Sequence, residues 1–424
     1  MRSIAGRLRR SEFVKNFSLL SMGSVVSQAI LILSSPILTR LFSPDEFGIQ
    51  SVTISIAGVA TILYTLQYDM AIVLPTQQTA AERVRILVLR YTVVALGIAL
   101  VLASLLWACN LHTLFGDIPG AVLLFSAVYA WVLAYERIST YTNIRAKRFS
   151  RISLAVTGGS IVASVFFIVT GYVKGGYLFL ILGVILNHAL NSLIQNWGTT
   201  RSHRIPFRLT AQDTQLLQEY RDFPRFRLPQ SLMNSLSQNL PALIFAGFFS
   251  PAIAGLYALA RKIIKLPGMV VADALRKVYY QKAVELTHEH RQVFPSLLGL
   301  TAGLAAVGLI PYGIIMIFGS QLFSFVFGSQ WQVAGRYAAW LSLWSYVGFT
   351  NIPAVAVIPV FKLQKQNMWY ETIMISTRIA ALLSGVVLQS ALISVIAFSV
   401  SGAVLNGLLI VWVLRYVHHQ DRTE

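Results

Sequence analysis

Four cations interrupt two otherwise apolar stretches of this chain. The segment "AIAGLYALARKIIKLPGMVVADAL" carries Arg261, Lys262 and Lys265, and "MWYETIMISTRIAALLSGVVL" carries Arg378. A guanidinium or ammonium among apolar residues suits one chemistry above others, the holding of an anion. If residues 261–265 formed a polar loop, the apolar run before Arg261 would be about ten residues, half of what a helix needs to cross a ~30 Å hydrocarbon core. The cations are therefore read as part of a crossing. Helical rise puts Arg261 about 14 Å from the outer end of its helix, and Arg378 about 15 Å from the cytoplasmic end of its own. Each Lys or Arg at that depth costs about 2.5–3.5 kcal/mol on insertion scales, so four cost about 10–14 kcal/mol. That rivals the net stability of a typical domain.

Acidic residues offer little relief. The chain has 16 Asp and Glu, mostly in loops. Asp69, Glu136, Asp273 and Glu371 approach a span, each near its cytoplasmic end, so none is an evident midplane partner. The cations are expected to line a wet cavity that receives an anion. The competing account pairs Lys262 or Lys265 with Asp273 or a backbone carbonyl, or lets them snorkel outward. Residues 261 and 265 share a helix face, whereas 262 is rotated by about 100°. Arg261, Lys265 and Arg378 are thus stronger candidates than Lys262.

A polar row points the same way. In "PQSLMNSLSQNLP", Gln230, Asn234 and Gln238 repeat at four-residue spacing beside Ser231, Ser235 and Asn239. Such a face is costly against lipid and should turn inward, either to a ligand or to another helix. Gln28, in the first apolar run, is its counterpart. Asp69, in "LQYDMAIVLP", is a candidate for ion coupling or a structural salt bridge with a nearby arginine. His188, in "LNHALN", reads as a helix-contact residue or a proton relay.

Other chemistry is missing from the sequence. No G-x-x-x-x-G-K-[ST] phosphate loop is present, so nucleotide does not power the chain directly. The "HEH" at His288–His290 lacks metalloprotease spacing, and Cys109 stands alone, so neither a metal site nor a disulfide framework is implied. No cofactor is expected, and nothing reads as an enzyme's active site.

The elements that position these residues are apolar helices. Hydrophobic residues make up 56% of the chain and charged residues 12%, against roughly 25% charged in soluble domains. Twelve spans are expected, from Phe17–Thr39 through Leu228–Phe248 and Ala252–Leu275 to Ala391–Val417. The first follows "MRSIAGRLRRSEFVKN" with no small-residue cleavage site, and reads as a permanent span. With the N-terminus in the cytoplasm, 27 of the 34 Lys and Arg fall in cytoplasmic loops or tails. Shifting the count by one span would destroy that asymmetry. Membrane topology therefore accounts for the net charge of +18, and no nucleic-acid partner is expected. The expected division is an N-terminal six-helix lobe (1–197), a cytoplasmic linker (198–227) and a C-terminal six-helix lobe (228–424). Within the linker, "AQDTQLLQEY" suits a short surface helix.

The halves share a signature. "FSPDEFG" at Phe42–Gly48 and "FSPAIAG" at Phe249–Gly255 both fall at the turn between the first and second spans of a half. Six intervening spans place both copies on the periplasmic side, so the repeat is parallel. Two six-helix bundles facing each other across a cleft are transporter architecture.

These segments in order resemble a known family. "FVKNFSLL", "LTRLFSPDEFG", "LQYDMAIVLP", "FPRFRLPQSLMNSLSQNLP", "GLYALARKIIKLP" and "FGSQWQVAGRYAAWL" are similar to polysaccharide exporters and O-antigen flippases of the Wzx-like group. That group belongs to the multidrug/oligosaccharidyl-lipid/polysaccharide (MOP) superfamily. The resemblance covers nearly the whole chain; "KVYYQKAVEL" departs from it, with Gln281 where Pro is common. It implies a MATE-like all-α polytopic membrane fold in the bacterial inner membrane, with both termini cytoplasmic. It also implies transport of undecaprenyl-pyrophosphate-linked oligosaccharide to the periplasmic leaflet by alternating access, for O-antigen or other lipopolysaccharide assembly. The implied partners are that anionic lipid-linked substrate, membrane lipids and other polysaccharide-assembly membrane proteins. Arg261, Lys265 and Arg378, with Lys262, Gln28, Asn234 and Gln238, are the expected substrate contacts. The alternatives are a drug or cation antiporter of the same fold, which should favour midplane carboxylates, and a glycan polymerase or ligase, which needs a sizeable outer loop. A non-transporting membrane scaffold would have no reason to retain such charge.

Overall fold

The computed structural model describes residues 22–111, 113, 117–198 and 210–423, with all their side chains except those of 267, 269–274, 277 and 423. The described residues are helical throughout, without strands. Among the described residues, nine helices are long and apolar enough to cross a membrane. They are α1 (Met22–Leu41), α2 (Pro44–Thr65), α3 (Gln78–Ala108), α4 (Ala121–Arg145), α5 (Phe149–Tyr172), α6 (Gly176–Asn196), α11 (Phe294–Phe327), α14 (Gln364–Val387) and α15 (Ala391–Thr423). The other three expected crossings are built differently. One is α8 (Leu228–Phe248), which carries the polar row. The next is split into α9 (Pro251–Ile264) and α10 (Leu266–His288), and the last into α12 (Gln332–Thr350) and α13 (Ile352–Val357). Residues 17–21 of the first expected span lie outside the described residues.

Each split coincides with a proline. Pro267 stands at the start of α10 and Pro353 at the start of α13. Proline cannot donate to the carbonyl four residues back and crowds it, so a continuous helix gives way there.

Contacts divide the chain into two compact units, Met1–Gly255 and Leu256–Glu424. The division falls after Gly255, past the 198–227 connection, because α8 packs along α2. In the first unit, Leu38, Phe42, Ala163, Phe167 and Leu180 join α1, α5 and α6. Ala57, Tyr64, Tyr129, Ala130 and Ala134 join α2 to α4. The linker helix α7 (Ala211–Glu219) starts in a reciprocal cap: the Asp213 amide donates to Thr210 Oγ1 at 3.3 Å, and the Thr210 amide donates to Asp213 Oδ2 at 3.0 Å. Arg90 of α3 also donates to Asp213 Oδ2, at 3.4 Å, so this helix is fastened to the first unit. In the second unit, Tyr279, Leu297, Val357, Leu363 and Val413 form a core joining α10, α11, α13 and α15.

The two signature turns meet each other. Ser43 caps α2 by accepting from the Glu46 amide at 3.3 Å, and Ser250 accepts from the Ile253 amide at 3.3 Å. Proline follows each serine at the first helical position, where no amide is needed. A side chain at Gly48 would run into the Pro251 carbonyl, and one at Gly255 into the Pro44 carbonyl. Serine, proline and glycine recur because one starts the helix, the next fixes its first turn, and the last lets two backbones touch.

Candidate functional site

The cation cluster of the second unit is built around the break between α9 and α10. Ala260 and Ile264 of α9 are buried, as is Tyr257. Arg261 and Lys262 are half-buried one turn before the break, and Lys265 occupies the break itself, exposed. The Lys265 amide still donates to the Arg261 carbonyl at 3.2 Å, closing the last turn. Placing cations at a helix C-terminus also sets them against the negative end of its dipole.

Arg378 approaches from α14. Its guanidinium carbon lies 4.7 Å from the Trp344 ring centroid and 5.6 Å from that of Phe398. Those two rings meet edge to face at 5.2 Å, so α12 and α15 together make a fixed aromatic platform. A guanidinium on such a platform gains about 0.5–2 kcal/mol and loses rotational freedom. Tyr257, Arg261, Tyr370 and Glu371 are within electrostatic reach of Arg378, and Arg261 is within reach of Lys265. The structure thus brings Arg261, Lys265 and Arg378 into one field. No described carboxylate comes within 4.0 Å of Lys265 or Arg378. Glu371 lies two turns before Arg378 on the same helix, about 10 Å along it. The buried Arg378 Nε has no hydrogen-bond partner among the described residues. The Asp273 side chain, a candidate partner for Lys262 or Lys265, lies outside the described residues.

The remaining candidates sit in the first unit. Gln28, Asn234 and Gln238 are exposed, with Gln238 Nε2 donating to Asn234 Oδ1 at 3.2 Å. Gln230 shares that exposed face, while Ser231, Ser235 and Asn239 turn partly inward. Ser231 Oγ donates to Gln67 Oε1 at 3.2 Å. Asp69 is fully buried and accepts from Arg137 Nε at 2.8 Å. His188 is hydrogen-bonded to Glu136.

Sequence reasoning missed the aromatic half of the cluster. Trp344 lies in "WLSLWSYVGF" and Phe398 in "VIAFSV", which read simply as apolar span. An arginine in an apolar helix signals that a partner exists; the partner's position in a distant segment is a tertiary fact.

A family model described as polysaccharide biosynthesis protein matches residues 37–335. The chain belongs to the polysaccharide biosynthesis protein family. Among its curated relatives is the lipopolysaccharide biosynthesis protein WzxC of Escherichia coli (strain K12), 21% identical over 322 residues. That match covers 74% of this chain and 62% of the relative's length, so this polysaccharide biosynthesis protein aligns with less than two thirds of it. Solved structures agree on the fold. The lipid II flippase MurJ, in an inward closed conformation, superposes with a TM-score of 0.73 at 11% identity, covering 93% of this chain and 87% of that one. An inward-facing multidrug resistance MATE family transporter of the MOP superfamily gives 0.66 at 15% identity, covering 94% and 96%. This family member is therefore an all-α, multi-pass bacterial membrane protein with the MOP fold, and these two solved structures are named for flipping and transport rather than catalysis.

Proposed function

We propose that this protein moves an anionic lipid-linked oligosaccharide across the bacterial inner membrane, from the cytoplasmic to the periplasmic leaflet, by alternating access. The cargo class is an undecaprenyl-pyrophosphate-linked glycan, with both chain termini in the cytoplasm as the Lys and Arg asymmetry favours. The observation that carries this reading is Arg378. It is a cation seated over the Trp344 and Phe398 rings, in the field of Arg261, with no described carboxylate in ion-pair range. A guanidinium offers paired N–H groups to a phosphate in a geometry that an ammonium does not match. Lys265, exposed at the helix break, supplies a second, mobile charge. A pyrophosphate or an acidic sugar satisfies this set. Family membership and the names of WzxC and MurJ support the same cargo class.

The decisive assay places a defined lipid-linked sugar in liposomes and scores its leaflet over time. The Arg261→Ala/Arg378→Ala double variant should lose transport at unchanged protein level, and surface glycan should fall in cells. Normal export by that variant would refute the anion-binding role. Likeness to a multidrug transporter supports a second reading, antiport of a drug or cation. The cationic cluster opposes it, and uptake of a cationic dye by the same liposomes separates the two.

A further inference from the structure

The first unit holds a cavity that the proposed cargo cluster does not use. It measures about 600 Å³, within the roughly 300–1,000 Å³ of small-ligand sites. It lies where α3 begins, α4 ends and α5 begins, and the turn 72–76 completes its lining. Arg85, Arg145 and Lys147 line it against a single carboxylate, Glu82. Arg85 is only 5% exposed. Glu82 accepts from its Nε and Nη2, leaving Nη1 without a partner among the described residues.

The other two cations keep their charge. Arg145 donates to the carbonyls of Ile72, Val73, Pro75, Thr76 and Gln77, and to Gln78 Oε1. Those dipoles hold the guanidinium in place and neutralise none of it. Lys147 is exposed, and no described carboxylate lies within 4.0 Å of either residue. Helix ends add to the field. α2 and α7 begin in reciprocal caps with an acidic residue in the first turn, whereas α3 and α5 begin with neither. Each uncapped N-terminus presents unbonded amides and about half a positive charge. Gln78 and Phe149, the first residues of α3 and α5, both line the cavity. Val73 and Leu74 line it as well and are exposed, so apolar surface borders the cations. That border gives a free anion nothing, but it suits the chains of a lipid. The ends of crossing helices lie in the headgroup region of a bilayer, where lipid phosphates are found.

We propose that this cavity binds the phosphate diester of an anionic phospholipid, of the phosphatidylglycerol class, from the cytoplasmic leaflet. Arg85 and Lys147 meet the phosphate together with the first-turn amides of α3 and α5. Arg145 holds the turn that lays Val73 and Leu74 beside the acyl chains. One lipid thereby ties the ends of α3, α4 and α5 to the membrane surface, as basic pockets between crossing helices do. The choice of leaflet rests on the orientation proposed above; the binding itself does not.

Native mass spectrometry of the full chain, released from micelles holding equal amounts of phosphatidylglycerol and phosphatidylcholine, reads the bound lipid without any transport step. The wild type should retain phosphatidylglycerol in preference, and the absence of that preference overturns the site. Lys147→Glu should weaken the retention about tenfold or more, the loss of one charge-assisted contact. Glu82→Gln frees Arg85 for the phosphate and should strengthen it. If the Glu82–Arg85 pair serves packing alone, Glu82→Gln strengthens nothing, and that result overturns the assigned role of Arg85. Lys362→Glu is the matched control. Lys362 is an exposed lysine on the same expected side of the membrane and in the same left-handed backbone, at φ 55° against 54° for Lys147, but outside the cavity. It should change nothing; an equal loss there means diffuse charge attraction and overturns the proposal. Excess glycerol phosphate, a headgroup without chains, should leave the lipid bound. Displacement by it, or by undecaprenyl phosphate at equal mole fraction, overturns the phospholipid assignment.

Discussion

Asp69 and Arg378 are both ionisable residues within expected membrane helices, yet the two units treat them in opposite ways. Asp69 is fully buried and meets an arginine at 2.8 Å. Arg378 rests on two aromatic rings, with no described carboxylate within 4.0 Å. The first unit repeats its pattern at Arg90 with Asp213, Arg85 with Glu82, and Glu136 with His188. The contrast teaches that these carboxylates of the first unit are each paired within it, whereas Arg378 in the second is positioned over aromatic rings without a described carboxylate in ion-pair range. Pairing fixes structure; an open, oriented cation is what a ligand with negative charge requires.

The comparison can be broken most severely at Asp69. Asp69→Ala strands Arg137 and should cost about 3–5 kcal/mol, read as thermal unfolding of the detergent-solubilised protein. Combining Asp69→Asn with Arg137→Gln should recover part of the loss, which a mutant cycle measures. A neutral control asks whether the first unit owes its stability to charge alone. Gly48→Val or Gly255→Val forces a side chain into an opposing backbone carbonyl and should cost about 1–3 kcal/mol. Arg378→Gln tests the other side: stability should change by about 1 kcal/mol or less, while flipping of lipid-linked sugar falls at least tenfold. If Arg378→Gln destabilises as much as Asp69→Ala, the distinction between the units fails.

The smallest effect is a pH dependence at the linker helix. Burial works against ionisation of Asp213, but hydrogen bonds from Thr210 and the Arg90 guanidinium outweigh it and hold the carboxyl below its usual range. A carboxyl depressed in the folded state contributes stability fully present above its unfolded value near about 3.9. That contribution is lost as pH falls through the lower folded value. Hydrogen exchange of residues 211–219 should therefore stay slow down to pH 4 and accelerate below it, and Asp213→Asn should remove that acid limb.

Much of this was legible in the sequence. The nine apolar spans follow from run length, because a bilayer imposes a single length scale on every crossing. The polar row of α8 follows from four-residue spacing. The splits after Ile264 and Thr350 were less visible, although Pro267 and Pro353 mark both, because apolar composition alone reads through a proline. The partner of Asp69 was narrowed to a nearby arginine, but Arg137 lies 68 positions along the chain and only packing of α4 selects it. The aromatic seat of Arg378 was hidden for the same reason, since Trp344 and Phe398 are ordinary span residues until the helices assemble.

The touching serine–proline–glycine turns constrain one another. At Gly48 and Gly255 the neighbour is the other turn's main chain, so each turn serves as the mould for its counterpart, and a side chain at either glycine meets a backbone carbonyl. The seven-letter echo stands at the place where the two turns press together, and a substitution tolerated there has to be accommodated by both.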